Sequence, residues 1–253
     1  MSSSSCRNVR SYLRHLMGVE RSERANRHLA RYLAFLAGAA NAGGFLAIHQ
    51  YTSHMSGVVS AMADSLAVGQ FRLFALGLLA LLTFLAGSIS TTVLVRFAKK
   101  HRLHSQYALP LVLEALLFAS FCVTVRHIRE HSIAATIAVL CFSMGLQNAT
   151  ITKLSGHVIR TTHLTGMVTD IGICGGRLLL PTIATSEVDR AQELRILRLL
   201  ASLVILFFLG GLTGALGFQH VGFGFMLPIS ASLFALALVP ILDDFSGRGK
   251  SVY

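Results

Sequence analysis

The chain is poor in charge, in prolines and in cysteines: charged residues make up only 13% of its 253 positions, and it has four prolines and four cysteines. A soluble domain carries roughly a quarter charged residues, so this chain lacks the polar surface to coat a water-facing globule. No CxxC or other ligand spacing links the cysteines, which excludes a recognisable disulfide framework or metal site. Three of them, Cys122, Cys141 and Cys174, lie within apolar sequence and are predicted to be small packing residues.

Motifs of known enzyme chemistry are also missing. The sequence contains no GxSxG, no phosphate-binding glycine loop and no Cys/His nucleophile arrangement. His163 and Asp170 would share one helical face, which keeps an intramembrane enzyme as an alternative, but nothing identifies a nucleophile. We therefore expect no enzyme and no cofactor. A short apolar core followed by a cleavage site is absent as well, so no cleaved signal peptide is expected.

What the chain has in abundance is apolar sequence, with 53% hydrophobic residues and a mean hydropathy of +0.64. About 20 apolar residues suffice for a helix to cross a membrane. The blocks of this kind are Leu29–Ile48, Phe71–Phe97, Tyr107–Val125, Ser132–Asn148, Leu199–Phe218 and Val221–Leu242. They predict an all-α, polytopic helix bundle in the lipid bilayer, with about six transmembrane helices plus two short or re-entrant ones. One membrane domain would cover residues 29–245, between a basic segment at 1–28 and a short tail at 246–253.

The formal net charge of +11 is explained by topology. Cations that flank membrane helices hold the cytoplasmic side, so we expect no nucleic-acid partner. The N-terminal segment has apolar residues at helical spacing among its arginines. It is either a short amphipathic helix on the membrane surface or a disordered tail that marks topology.

The sequence repeats the same order of features twice, over about 29–126 and 131–242. Asn41 and Asn148 each close an apolar block, and Ser53–Gly57 and Thr162–Gly166 follow as SHMSG and THLTG. An apolar block follows each motif, in which Phe84–Gly87 echoes Phe208–Gly211. The chain is predicted to be an internal duplication.

The distribution of cations indicates how the two halves are oriented. If both motif segments dip into the membrane and return, only Arg72, Arg126 and Arg129 of the 22 lysines and arginines lie outside. If the motif segments span, six of the 22 lie outside. The positive-inside rule therefore favours inverted three-span repeats with both termini in the cytoplasm. A bundle this small is compatible with a homodimer.

The motifs suit a site for a solute, because a helix that starts at Ser53 or Thr162, or beside them, presents unpaired N–H groups to an anion. Broken helices at matching places in inverted repeats are typical of secondary transporters. The small residues could instead only pack helices closely. Arg160 would add a positive charge or be an ordinary loop residue. The candidate solute-binding residues are Asn41, Ser53, His54, Ser56, Gly57, Asp64, Glu114, Asn148, Arg160, Thr162, His163, Thr165, Gly166 and Asp170.

Five of these candidates are ionisable groups with alternatives left open. Glu114 is either a proton-coupling group or a hydrogen-bonded packing residue. Asp64 and Asp170 either reach water or form a buried polar pair. His54 and His163 could shuttle protons, but hydrogen bonding within the motif is the simpler role, and no spacing indicates a metal.

At these motifs the sequence resembles the YoaK-like family, multi-pass membrane proteins grouped by a domain of unknown function (DUF1275). The resemblance covers roughly Arg31–Val239 and rests on AGAANAGGFLAI, YTSHMSGVVSAMADSLAVG, GLQNATITKLSG and VIRTTHLTGMVTDIG. Many members have Asp at the place of Asn41 and Asn at the place of Val58, which weakens a charge-based role for Asn41. The resemblance implies a bacterial inner-membrane protein and brings no established substrate.

The sequence therefore predicts a transporter or channel-like protein for a small solute, with an anion as one expectation. The alternatives are a membrane scaffold or sensor that does not transport, and an intramembrane enzyme.

Overall fold

The computed structural model describes residues 23–101, 103, 106–127, 133–154, 163–180 and 187–245. All regular structure in these ranges is helical, as predicted. The helices are α1 (Glu23–Ile48), α2 (Met55–Ala67), α3 (Phe71–Lys100), α4 (Ala108–His127), α5 (Ile133–Leu154), α6 (Leu164–Leu179), α7 (Glu187–Val221) and α8 (Met226–Phe245), with a 3-10 helix at Gly222–Phe225. Helix α1 starts inside the segment predicted as a basic tail. Residues 1–22 and 246–253 lie outside the described residues.

The long helices have the length and composition of membrane-crossing segments. Helices α1, α3 and α5 qualify, as does the stretch Arg190–Leu242 that contains α7 and α8, and α4 is apolar over the shorter range Ala108–Cys122. One side of α3 exposes a row of large apolar side chains, namely Leu78, Leu82, Leu85, Ile89, Val93 and Phe97. An exposed apolar surface of this extent needs apolar surroundings. The chain is a helical membrane protein.

The four longest helices pack in two parallel pairs, α1 with α7 and α3 with α5. Arg31 Nε donates to Ser202 Oγ near the start of the first pair, and Gly43 lies against Phe218 near its end. In the second pair Ser88 Oγ donates to the Gly145 carbonyl, and the buried Thr91 donates to the Leu146 carbonyl at 2.9 Å. Residue numbers rise together along both partners, so the two helices of each pair run in the same direction.

Each of these four helices carries a Phe-x-x-Gly segment at its crossing point. The segments are Phe35–Gly38 in α1, Phe84–Gly87 in α3, Phe142–Gly145 in α5 and Phe207–Gly210 in α7. In both pairs the glycine of one helix faces the phenylalanine carbonyl of the other, so close that an added Cβ would overlap the oxygen. Small residues let helix backbones approach in this way in membranes. The repeat register predicted from Phe208–Gly211 is therefore shifted by one residue.

Each of the two short helices lies against the third helix of its own half. Helix α2 has 13 residues and α6 has 16, fewer than the roughly 20 that a membrane crossing needs. Helix α2 runs antiparallel along the first half of α3, with Met62 against Gly77 and Val58 in one cluster with Ala80. Helix α6 packs on α7, where Arg177 and Glu193 form an ion pair at 2.7 Å. Neither short helix extends along the whole of its partner.

Helices α4 and α8 complete the bundle by packing on each other and on the long helices. Phe118 and Leu111 of α4 and Met226 and Leu233 of α8 are buried completely in one cluster. Ser230 Oγ of α8 donates to the Ala115 carbonyl of α4 at 2.7 Å. Separately, Cys122, Cys141 and Cys174 are buried thiols, which confirms their predicted packing role.

Candidate functional site

Both repeated motifs contribute to one cavity of about 1550 Å³. Its walls come from α1, α3, α5 and α7, and the N-terminal ends of α2 and α6 reach it. The polar lining residues are Asn41, Ser53, His54, Ser56, Ser88, Thr92, Asn148, Thr152, Lys153, His163, Thr165 and Gln219. Motifs that are more than a hundred residues apart in the chain thus share one space.

The buried Asn41 side chain holds the chain as it enters the first motif. Its Oδ1 accepts hydrogen bonds from the Thr52 amide at 3.1 Å and from the Ser53 amide at 3.3 Å, and also from both hydroxyls. The Thr52 side chain packs on Gly44. After α1 ends at Ile48, the chain therefore runs back beside the last turns of α1 before α2 begins. Asn148, the matching residue of α5, lines the same cavity.

The histidine of each motif stands at the N-cap of its short helix. His54 has φ −95° and ψ 70°, and His163 has φ −86° and ψ 57°. Neither histidine side chain forms a capping hydrogen bond. The first short helix was predicted to start at Ser53 or the residue beside it, and its N-cap is His54. Both rings fold back over the glycine three residues on, Gly57 or Gly166, where an added Cβ would overlap the ring. The spacing from histidine to glycine in the motif follows from this contact.

The first turns of α2 and α6 present free amide groups at the cavity. The first helical bonds are Val58 N–H to the His54 carbonyl at 3.0 Å and Met167 N–H to the His163 carbonyl at 3.1 Å. The amides of the three residues between each such pair therefore have no acceptor within their own helix. Ser56 and Thr165 belong to these turns and line the cavity. Two helix N-termini add partial positive charge at one site.

The cavity is lined by one charged side chain among the described residues, and it is a cation. Lys153, near the end of α5, is a lining residue, and the described lining residues include no aspartate or glutamate. Two imidazoles and several hydroxyl and amide groups supply further hydrogen-bond donors. The cavity therefore suits an anion or a polar solute with acceptor groups.

The cavity reaches the middle of the long helices and extends from there toward Lys153 near the end of α5 and Gln219 near the end of α7. Phe84 lines it together with Met55, the first residue of α2, and Phe84 is close to the midpoint of α3. Val204 lines it together with Leu164, the first residue of α6, and Val204 is the middle residue of α7. Both short helices thus begin at mid-depth of a long apolar helix.

The structure brings only some of the predicted residues together. Asn41, Ser53, His54, Ser56, Asn148, His163 and Thr165 line the cavity. Gly57 and Gly166 lie under the histidine rings instead. Arg160 and Thr162 fall outside the described residues.

The three predicted carboxylates do not line the cavity. Asp64 and Asp170 are exposed on the short helices, so of the two alternatives the buried polar pair is excluded. The reason is that α2 and α6 each pack on a long helix along one side only. Glu114 is fully buried in the core between Leu111 and Phe118, and neither carboxylate oxygen has a hydrogen-bond partner among the described residues. Gln147 of α5 is likewise fully buried, with both side-chain polar atoms unpartnered among these residues.

Sequence reasoning missed Lys153, which it had counted only as a cytoplasmic cation. Lys153 lies five positions after Asn148 on α5, and Ala149 and Thr152 line the cavity between them. A helical projection places Lys153 on the same side as Ala149, four positions before it. No three His, Cys, Asp or Glu side chains of the described ranges come together in a way that could hold a metal ion.

Comparison with known proteins gives one finding about the family. A family model described as "Protein of unknown function (DUF1275)" matches residues 29–239, from the first turns of α1 into α8. No curated protein and no solved structure matches the chain. The match covers most of the chain and all of the cavity. The chain therefore belongs to the DUF1275 family of membrane proteins of unknown function.

Proposed function

We propose that the protein is a transporter or channel-like protein that moves a small anionic solute through the cavity between its two motifs. The observation that carries this proposal is the convergence of both motifs on one cavity with a lysine and no carboxylate. A membrane scaffold has no need for two helix N-termini at one internal space. An intramembrane enzyme would need a lining hydroxyl activated by a base, and no hydrogen bond joins such a hydroxyl to His54 or His163 among the described residues.

The halves are proposed to be an inverted duplication with six spans and two re-entrant helices. The pairing of helices supports it, because α1 packs on α7 and α5 packs on α3, the first helix of each half on the third helix of the other. The four Phe-x-x-Gly crossings occupy matching places. Inverted repeats with discontinuous helices at mid-depth are the arrangement of many secondary transporters.

The charges at the helix ends give the proposed orientation. Arg24, Arg27 and Arg31 flank the start of α1, and Lys99 and Lys100 end α3. The positive-inside rule places both of these ends in the cytoplasm, which makes α1 and α3 antiparallel. Helix α2 would then run from mid-depth back to the outer face, as a re-entrant helix. By family resemblance the membrane is the bacterial inner membrane.

Solute flux into liposomes that contain the purified protein tests the proposal. Benzenesulfonate and methanesulfonate are suitable probes, because they stay ionised and do not leak through lipid as neutral acids, and benzenesulfonamide is the neutral control. We expect protein-dependent entry of at least one sulfonate and none of the sulfonamide. Lys153→Met should lower sulfonate flux about tenfold, the effect of losing about 1.4 kcal/mol of binding.

A matched control separates the cavity from the charge of the protein as a whole. Asp64→Asn changes a charge on an exposed side chain outside the cavity and should leave sulfonate flux within about twofold of the original protein, since isolated surface charges contribute little. Sulfonate flux that is unchanged in both variants would contradict an anion site at the cavity. Equal entry of sulfonate and sulfonamide would contradict it too. Recovery of the chemically unchanged solute from inside the liposomes would show transport and not catalysis.

A further inference from the structure

Five of the fifteen described non-polar residues that line the cavity are aromatic. Phe45 and Tyr51 stack with ring centroids 4.9 Å apart beside the first motif. Phe84 of α3 and Phe207 and Phe208 of α7 line the same space. Both long-helix pairs thus contribute rings, and the polar donors form only part of the surface. An inorganic anion would use the donors and leave these aromatic walls in contact with water.

The volume also exceeds what a small inorganic anion needs. Cavities for drug-sized organic ligands measure roughly 300–1000 Å³, and this cavity measures about 1550 Å³. Sites for organic ligands have mostly apolar walls and a few polar groups that fix orientation. The cavity has both features, with Lys153 and the two helix N-termini as the orienting groups.

We infer that the solute is an organic anion with an apolar body, whose acid group binds at Lys153 and the first turns of α2 and α6 while its body lies against the aromatic rings. This inference rests on the proposed function, because it assigns the solute class of the same cavity. The acid can be a free metabolite or can be part of a lipid, since both present the same chemistry. Fluorescence binding measurements distinguish these cases.

The absence of tryptophan from the chain allows a clean optical probe. Tyr51→Trp keeps an aromatic ring against Phe45 and places a single indole in the cavity wall. Phe71→Trp places the indole on an exposed side chain at the start of α3, outside the cavity, as the control. Both variants would be reconstituted in phosphatidylcholine nanodiscs and titrated with cyclohexanecarboxylate, with acetate and with cyclohexanecarboxamide.

Cyclohexanecarboxylate should change the fluorescence of Tyr51→Trp and leave that of Phe71→Trp unchanged. We expect it to bind at least about tenfold more tightly than acetate, because burying two or more methylene groups gives that factor. It should also bind at least about tenfold more tightly than the neutral carboxamide, and Lys153→Met should remove that preference. Phe208→Ala should weaken cyclohexanecarboxylate and leave acetate unchanged.

Three results would overturn the inference, and they separate it from the proposed function. Equal affinity for acetate and cyclohexanecarboxylate would leave an anion site without a place for an apolar body. Equal affinity for the carboxylate and the carboxamide would remove the anion preference and the proposed function with it. The same response in the Phe71→Trp control would show that the probe partitions into lipid and not into the cavity.

Changing the lipid of the nanodiscs shows whether the bound acid is a free molecule or part of a lipid. In nanodiscs of phosphatidylglycerol, a lipid-borne anion would compete with cyclohexanecarboxylate and raise its apparent dissociation constant about tenfold, well beyond what screened surface charge causes at high salt. An unchanged dissociation constant would identify a free organic acid. Either result is consistent with the organic anion class.

Discussion

At the scale of single residues, each motif is explained by the packing of its histidine. The ring of His54 lies over Gly57, and the ring of His163 lies over Gly166, so the glycine is required by a side chain three positions earlier. The sequence showed that the motif is repeated and that its glycines permit close approach. It could not show that the approaching group is the histidine ring itself, because that depends on the rotamer adopted at the N-cap.

Adding a methyl group to either motif glycine should therefore destabilise the fold. We expect Gly57→Ala to lower the free energy of unfolding by about 1–3 kcal/mol through overpacking, measured by thermal unfolding in detergent. In a His54→Ala background most of this cost should disappear, since the overlapping ring is gone. Gly172→Ala in α6 is the control: a Cβ there meets nothing, so stability should hold or rise by up to about 1 kcal/mol. Equal losses of stability in Gly57→Ala and in Gly172→Ala would contradict the ring contact.

Asn41 acts through its oxygen, which accepts every hydrogen bond that the structure gives it. Asn41→Asp keeps these acceptors, so we expect it to unfold within about 1 kcal/mol of the original protein. Asn41→Leu leaves the Thr52 and Ser53 amides without this acceptor and should cost about 2–6 kcal/mol, at about 1–3 kcal/mol for each unpaired group. An aspartate at this position would then serve the same structural purpose. A destabilising aspartate with a tolerated leucine would show that the amide nitrogen matters instead.

Glu114 offers a second residue-scale test, because its carboxyl group is fully buried without a polar partner among the described residues. Replacing an unpaired buried polar group with an apolar one of similar volume is close to neutral. Glu114→Leu should therefore leave the unfolding temperature unchanged or raise it, whereas Leu111→Ala, one turn away, should cost about 2–5 kcal/mol. A large loss in Glu114→Leu would mean that the carboxyl group has an essential partner, such as a bound ion.

At the scale of helices, the sequence predicted the elements better than their contacts. Apolar length identified α1, α3, α4, α5, α7 and α8, and the repeated motifs identified the starts of α2 and α6. The exact glycine at each crossing was not predicted, because Gly210 and Gly211 are adjacent and either could follow a phenylalanine by three. Which of them faces the partner depends on how α7 is rotated about its axis, and only packing sets that rotation.

This pair of neighbouring glycines provides a matched test of the crossing. A Cβ at Gly210 would overlap the Phe35 carbonyl of α1, whereas a Cβ at Gly211 would lie 3.8 Å from its nearest neighbour. We expect Gly210→Ala to push α1 and α7 apart and to cost about 2 kcal/mol or more. Gly211→Ala should cost less than about 0.5 kcal/mol, since 3.8 Å is ordinary contact. Thermal unfolding of the two variants in the same detergent measures this difference. A larger loss of stability in Gly211→Ala than in Gly210→Ala would support the register inferred from sequence.

At the scale of the whole molecule, the cavity forms because helices of one half pack on helices of the other half. Because α1 packs on α7 and α5 on α3, both motif segments face the same interior space. The sequence repeat made a shared site at the two motifs a reasonable prediction. Lys153 and the aromatic walls were not predicted, because they join the site only through the rotation of α5 and α7. The carboxylates were misplaced for the same reason: the sequence shows that they lie in apolar surroundings but not which side of a helix they occupy.

The central claim is that two short helices enter the membrane from opposite faces and meet at one cavity. Single cysteines on a cysteine-free background test it most directly, with Ser56→Cys and Thr165→Cys in the cavity. Phe71→Cys lies at the start of α3 and Leu103→Cys lies beyond its end. Gly57 and Gly166 are unsuitable positions, because a side chain there would meet the histidine rings. A membrane-impermeant maleimide would be applied to intact cells and to inverted vesicles. We predict labelling of Phe71→Cys from outside only and of Leu103→Cys from inside only, with Ser56→Cys and Thr165→Cys labelled slowly and from opposite faces. Labelling of Leu103→Cys from outside would mean that α2 crosses the membrane, that the halves are parallel, and that the account of an inverted transporter is wrong.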